Sequence, residues 1–178
     1  MASNQATRVC VFGCGRWLRR DDQTGLLVAR EIGRQALDIG CQGQAPAGVV
    51  VLTSESPAAD LPANLDDADL LIVVDAAGAA DDFPAGTWRR IDYRREPGRI
   101  GERGRAVDVH QLSVDAALRL AEQLGILPPE VWVYAIAAGD CGYGEAMTPA
   151  VEAAVSELAR RIPADIEAWR RQRMGRGA

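Results

Sequence analysis

Two acidic sites and one histidine supply the side chains of this chain that are best suited to catalysis or metal binding. Asp21 and Asp22 follow Gly13-Cys14-Gly15, a glycine turn at the end of an apolar run, and Asp75 ends a second apolar run. His110 is the only histidine, so any imidazole in a mechanism must come from this residue. Two carboxylates and one imidazole, each on a loop that leaves a sheet, would form a three-ligand site with open positions. Nitrogen and oxygen ligands of this kind suit divalent metals such as nickel or zinc.

The alternation of strand and helix patterns predicts the fold that would position these residues. Short apolar runs predict strands at 8–12, 48–53, 70–75, 87–93 and 131–137, of which the fourth is typical of a sheet edge. Helical spacing predicts helices from a cap at Thr24 or Asp22 to about Ile39, from a cap at Ser113 to Leu124, and from Thr148-Pro149 to near Pro163. The predicted fold class is α/β: a three-layer α/β/α sandwich with a mostly parallel, roughly five-stranded sheet and one antiparallel strand. Such sheets bind ligands at the carboxyl ends of their strands, where Asp22 and Asp75 are expected.

Length and composition narrow the class of protein. The 178 residues predict one domain, with loose ends at 1–7 and at about 164–178. A net charge of −5 argues against nucleic-acid binding, and the absence of lysine excludes Schiff-base chemistry and phosphate loops that depend on lysine. The four cysteines, Cys10, Cys14, Cys41 and Cys141, form no CxxC pair, which favours reduced thiols over a zinc knuckle. Without a signal peptide or an apolar run of membrane-spanning length, we expect a cytoplasmic protein that does not bind membranes.

Several motifs, in the same order, resemble those of the hydrogenase maturation endopeptidases, which remove the C-terminal extension of the large subunit of nickel-iron hydrogenases. The segment 13–25 is similar to that family's glycine motif, apolar loop and acid pair. A second signature is matched by Val73-Val74-Asp75-Ala76 with Pro84-Ala85-Gly86-Thr87, and His110 matches the histidine that opens the next helix. The family's late strand entry and helix start are matched at 127–131 and at Thr148-Pro149, so the resemblance spans residues 8 to 162.

The resemblance implies an aspartic-type endopeptidase with a phosphorylase/hydrolase-like sheet. By position, the catalytic and metal-contacting residues fall on Asp22, Asp75 and His110; the supporting loop contains Gly13, Gly15, Arg16 and Asp21. The metal would be the nickel already inserted in the large-subunit precursor, which is a recognition element of the substrate and not a cofactor that the protease keeps. Zinc or cadmium would serve as a surrogate in vitro. The implied partner is this precursor, with no nucleic acid or membrane, and we expect a monomer.

The acid loop departs from the family pattern, and other interpretations stay open. Arg16 stands where the family has Asn, and Arg20 and Gln23 stand where Gly is usual. This favours either a divergent subgroup, in which the arginines pair with the acids or bind an acidic part of a substrate, or a non-catalytic member that binds the large subunit as a maturation factor. Gly13-Cys14-Gly15 also fits a nucleotide-binding domain, although Leu18 occupies the third glycine position of the dinucleotide motif. A thiol hydrolase that pairs Cys14 with His110 is a further alternative.

Overall fold

The computed structural model describes residues 7–38, 48–65, 67–96 and 114–176, which form five strands and four helices. The strands are β1 (Val9–Cys14), β2 (Val49–Ser54), β3 (Leu70–Gly78), β4 (Trp88–Asp92) and β5 (Glu130–Ala138). The helices are α1 (Thr24–Asp38), the single turn α2 (Pro57–Asp60), α3 (Val114–Gln123) and α4 (Pro149–Arg176), with 3-10 turns at Arg20–Gln23 and Pro62–Asn64. The predicted helix end Ile39 and helix cap Ser113 lie outside the described residues.

The strands form one sheet in the order β2-β1-β3-β5-β4, parallel except for β4, which is antiparallel to β5 at the sheet edge. Alternate residues of β1 enter two apolar layers. Val9 and Val11 pack in the layer that α1 and α4 complete, while Cys10 and Phe12 pack in the layer of α2 and α3. Burial on both faces explains why β1, β3 and β5 are apolar without alternation, whereas the edge strands β2 and β4 are partly exposed. The predicted three-layer α/β/α sandwich with one antiparallel strand is therefore confirmed.

A crevice between β1 and β3 follows from the order of the strands. The chain places β2 on one side of β1 and β3 on the other. In an open parallel sheet, this change of direction separates the loops that leave two neighbouring strands, and ligands bind between them. Pairing between β1 and β3 ends at Gly13 and Val74, which marks the floor of the crevice. The loop after β5 reaches the same edge, because β5 runs parallel to β3.

The predicted end of β3 at Asp75 is wrong. The strand continues to Gly78, because Ala76, Ala77 and Gly78 remain paired with β5. The predicted cap of α1 is also wrong. The 3-10 turn runs directly into α1, and the buried Thr24 hydroxyl has no hydrogen-bond partner among the described residues.

The last helix is much longer than predicted. Pro163 lacks the N–H that would continue the helical bonding, which is why a helix end was expected there. However, α4 continues to Arg176, since Ile166 and Trp169 beyond the proline are buried in the core. The prediction of a loose end at 164–178 is therefore wrong as far as Arg176. No helix in the described ranges has both the length and the apolar character that a membrane span requires.

Candidate active site

Asp22 and Asp75 border the crevice from its two sides. Asp22 lies in the 3-10 turn that follows β1. Asp75 lies inside β3, one residue beyond Val74, where pairing with β1 stops. Because no residue of β1 pairs with Asp75, Asp75 borders the crevice on that side and not a neighbouring strand. The structure thus brings together two carboxylates that are 53 positions apart in the sequence.

The two carboxylates lie close enough to influence each other's protonation. Burial raises the pKa of Asp75 to about 7; the negative charge of Asp22 acts in the same direction, and the backbone N–H of Ala76 opposes both. Burial also raises the pKa of Asp22, against the opposing charges of Arg16 and Arg19. Near neutral pH such a pair can both accept and donate a proton, which is what acid-base hydrolysis requires.

Gly15 and Gly25 allow other parts of the backbone to pack closely against the turn. A Cβ on Gly15, which has a φ of 144°, would lie 2.0 Å from the backbone oxygen of Asp22. A Cβ on Gly25 would lie 2.2 Å from the carbonyl oxygens of Cys14 and Val74, so α1 can begin directly over β1 and β3 only with glycine there. The acid loop therefore fills the space beside this turn that a nucleotide phosphate would need.

Asp21 ties the acid loop to the loop after β5. Its carboxylate is fully buried. Oδ2 accepts hydrogen bonds from the backbone N–H groups of Gly139 and Asp140, both at 2.8 Å, and from the Thr148 hydroxyl at 3.0 Å. Oδ1 accepts a bond from the Thr148 N–H at 2.7 Å. Every oxygen of Asp21 is thus used within the protein, whereas the Asp22 carboxylate accepts no hydrogen bond within the described part of the chain.

Arg20 makes a second connection between the same two loops. Its φ of 41° is in the left-handed region, which explains why glycine would suit this position. The Arg20 N–H donates to the carbonyl of Gly144 at 2.9 Å, and its guanidinium bonds to the carbonyl of Tyr143 and forms an ion pair with Asp140. The Arg20 side chain therefore compensates for the backbone strain with contacts to the opposite loop.

Gln23 adds a third connection. Its side chain is buried, and its amide nitrogen donates to the carbonyl oxygen of Glu145 at 2.6 Å. Arg20 and Gln23 are two of the three residues that differ from the family pattern. Both bond the acid loop, which carries Asp22, to the loop after β5. The third, Arg16, lies near enough to Asp22 to lower its pKa.

The cysteines near the crevice are poor nucleophiles. Cys14 is buried, and burial together with the charge of Asp75 holds the pKa of its thiol well above the usual value. Cys141 is partly exposed, and burial with the charges of Asp22 and Asp21 raises the pKa of its thiol to about 11. Thiolates are the reactive form of cysteine, so neither residue is activated.

His110 lies outside the described residues, and its predicted place beside Asp22 and Asp75 stays a prediction. Within the described ranges, no three His, Cys, Asp or Glu side chains are arranged to hold a metal ion. Asp22 and Asp75 by themselves offer two carboxylate donors, which leaves the third ligand to a residue such as His110 or to a substrate.

Sequence reasoning missed the part that the loop at 139–148 plays in the site. The three glycines at 139, 142 and 144 follow a strand parallel to β3, so a loop at the same sheet edge was foreseeable. The contacts of this loop with Asp21, Arg20 and Gln23 join residues more than 100 positions apart, and no local pattern records them.

Comparison with solved structures identifies the fold. No protein-family model matches the sequence, and no curated protein matches it significantly. The hydrogenase maturating endopeptidase HybD of E. coli superposes with a TM-score of 0.69, covering 91% of this chain and 93% of that one at 18% identity. The [NiFe] hydrogenase maturation protease HycI of Thermococcus kodakarensis gives a TM-score of 0.62, covering 89% and 92% at 23% identity. An endopeptidase of Escherichia coli gives 0.68, covering 89% and 91% at 21% identity. Over nearly its whole length, this chain therefore has the fold of the hydrogenase maturation endopeptidases.

Proposed function

We propose that this protein is an endopeptidase that removes the C-terminal extension from the nickel-loaded large-subunit precursor of a nickel-iron hydrogenase. The observation that carries the proposal is the pair formed by Asp22 and Asp75 at the crevice between β1 and β3. This pair lies in a fold shared with named hydrogenase maturation endopeptidases, at the edge of the sheet where such folds bind ligands.

The chemistry of the pair suits a substrate that brings its own metal. Carboxylate oxygens are suitable donors for divalent cations, and a cation near Asp75 would lower its pKa and release its proton. Asp22, Asp75 and His110 would hold the nickel of the precursor as a recognition element. The bound metal would polarise the scissile carbonyl or the water that attacks it. Removal of the extension would let the large subunit close over its metal centre.

Incubation with nickel-loaded precursor, followed by mass spectrometry of the large subunit, tests the proposal. We expect loss of a C-terminal peptide, and a rate at least about 100-fold lower for Asp22→Asn, Asp75→Asn and His110→Ala. Glu157→Gln, an exposed acid on α4, is the matched control and should process at the normal rate. Precursor without nickel should not be cleaved, whereas zinc or cadmium in its place tests surrogate metals.

The same experiment decides between processing and binding alone. A complex that forms with the precursor but never shortens it would show a non-catalytic maturation factor. The connections made by Arg20 and Gln23 support catalysis, because they hold in place the acid loop that carries Asp22. The nucleotide and thiol alternatives lose support, since the glycine turn is filled by the chain and the Cys14 thiol is buried.

A further inference from the structure

The loop after β1, the helix α1 that follows it and the loop after β5 carry an outer rim of arginine, aromatic and leucine side chains. The rim consists of Trp17, Leu18, Arg19, Arg30 and Tyr143. We propose that this rim binds an acidic, extended segment of the substrate polypeptide next to the bond that is cut. This inference rests on the proposed function and adds to it the chemistry by which the substrate is recognised.

Leu18 is held in a conformation that keeps its apolar side chain in water. Its φ is 62°, a left-handed value that is strained for a bulky residue, and 56% of the residue is exposed. The N–H of Gly144 donates to its carbonyl at 2.9 Å, which fixes this position of the loop. This arrangement does not bury the apolar surface of Leu18 within the protein. Strained and exposed apolar residues of this kind occur where a ligand or partner binds.

Beside Leu18, two guanidinium groups are stacked on aromatic rings. Arg19 lies 4.6 Å from the ring centre of Tyr143, which is 83% exposed, and Arg30 lies 5.2 Å from the ring centre of Trp17. Neither arginine forms a direct ion pair with a carboxylate in the described part of the chain, although the charge of Arg19 lowers the pKa of Asp22. Stacking holds the plane of a guanidinium and leaves its N–H edge free, which is the geometry that binds carboxylates.

The position of the rim favours a polypeptide as its occupant. A peptide bond can reach Asp22 and Asp75 only if the chain on one side of it crosses the walls of the crevice, where the rim lies. Acidic side chains would meet the free guanidinium edges, and apolar ones would contact Leu18 and Tyr143. A nucleic acid fits less well, because its phosphates would also meet the acids of the crevice and a chain of net charge −5.

Peptide binding tests the chemistry of the rim without any processing. The probes are a fluorescein-labelled peptide of alternating Glu and Leu and its match with Gln for every Glu, measured by anisotropy. We expect the native chain to bind the Glu peptide roughly threefold to tenfold more tightly, and Arg30→Gln to lose much of this preference. Arg160→Gln, an exposed arginine on α4, should keep it. Equal binding of the two peptides, or tighter binding of a single-stranded oligonucleotide, would overturn the inference.

Processing kinetics separate recognition from structural support. Leu18→Gly and Tyr143→Ala should raise KM for the nickel-loaded precursor roughly threefold to tenfold with kcat unchanged, because the rim lies outside the reacting centre. Leu18→Gly should also unfold at a urea concentration no lower than the native chain, since glycine relieves the strained φ. A lower kcat with normal KM, or a lower unfolding midpoint for Leu18→Gly, would show that the rim only supports the loop. If the native chain cleaves no precursor, the proposed function fails and the peptide assay alone decides the inference.

Discussion

Two adjacent acids should respond in opposite ways to the same substitution. We expect Asp21→Asn to destabilise the fold strongly, and Asp22→Asn to leave the fold intact while it removes processing. The two changes are chemically identical and one residue apart. The difference between them therefore isolates the part that each carboxylate plays.

The size of the effect at Asp21 follows from its hydrogen bonds. In Asp21→Asn, the amide oxygen can replace Oδ2 and keep the bonds from Gly139, Asp140 and the Thr148 hydroxyl. The NH2 group then replaces Oδ1 and faces the Thr148 N–H, so that two donors meet in a site without access to water. A hydrogen bond to a charged group contributes about 1.5–3 kcal/mol, and an unsatisfied buried donor costs about 1–3 kcal/mol. We expect the free energy of unfolding to fall by about 3–5 kcal/mol.

Urea denaturation at pH 7, followed by circular dichroism, measures this loss. The same measurement on Asp22→Asn should show a loss of no more than about 0.5 kcal/mol, because no hydrogen bond within the described residues is lost. Removal of the Asp22 charge also relieves the repulsion that Asp75 experiences. Glu157→Gln again serves as the surface control.

The reasoning would be refuted by two results. One is a loss of less than about 1 kcal/mol for Asp21→Asn, which would mean that its four bonds do not hold the loops together. The other is a stability loss for Asp22→Asn as large as that for Asp21→Asn, which would mean that both acids are structural.

Three further changes test other parts of the site. Arg20→Ala and Arg20→Gly both remove the ion pair with Asp140, but only glycine accepts the left-handed φ, so Arg20→Gly should be more stable by about 1 kcal/mol in urea unfolding; equal stabilities would show that the backbone relaxes. Cys14→Ala should lower the free energy of unfolding by about 1–2 kcal/mol and leave processing unchanged in the mass-spectrometric assay, since the thiol is buried and protonated; lost processing would revive the thiol mechanism. The pKa of Asp75 is raised in the fold from 3.8 to about 7, so the folded state binds its proton more tightly and the resulting stabilisation is lost as pH rises from about 4 through 7. Asp75→Asn should remove this pH dependence. At pH 8 its free energy of unfolding should exceed that of the native chain by on the order of 2 kcal/mol, after allowance for the open crevice. Parallel pH profiles of stability for the two proteins would contradict the shift.

Much of the fold could be predicted because its signals are local. Each apolar run that predicted a strand is one, and Thr148-Pro149 does precede a helix. The errors lie where distant contacts extend an element. Nothing beside Pro163 in the sequence indicates that Trp169 packs against Trp132 of the sheet, yet this packing stabilises the helix beyond the proline.

The site could be predicted only in part, for the same reason. Asp22 and Asp75 were expected at one sheet edge because the ends of parallel strands meet there. The sequence could not separate the roles of Asp21 and Asp22, since the groups that bind Asp21 come from residues 139–148. Adjacent acids look alike until the donors around one of them are known.

Arg20 and Gln23 illustrate how side-chain contacts can hold a loop that contains a strained backbone conformation. Glycine accepts a left-handed backbone at little energetic cost, and arginine does not. In this chain the Arg20 side chain bonds to Tyr143 and Asp140, and Gln23 bonds to Glu145. These contacts with the loop after β5 stabilise the acid loop, whereas glycine would tolerate the backbone conformation without adding any contact. Such a loop has fewer alternative conformations in the unfolded chain and more contacts in the folded one. The contacts of Arg20 and Gln23 therefore hold the turn that carries Asp22, and they join the acid loop to the loop after β5.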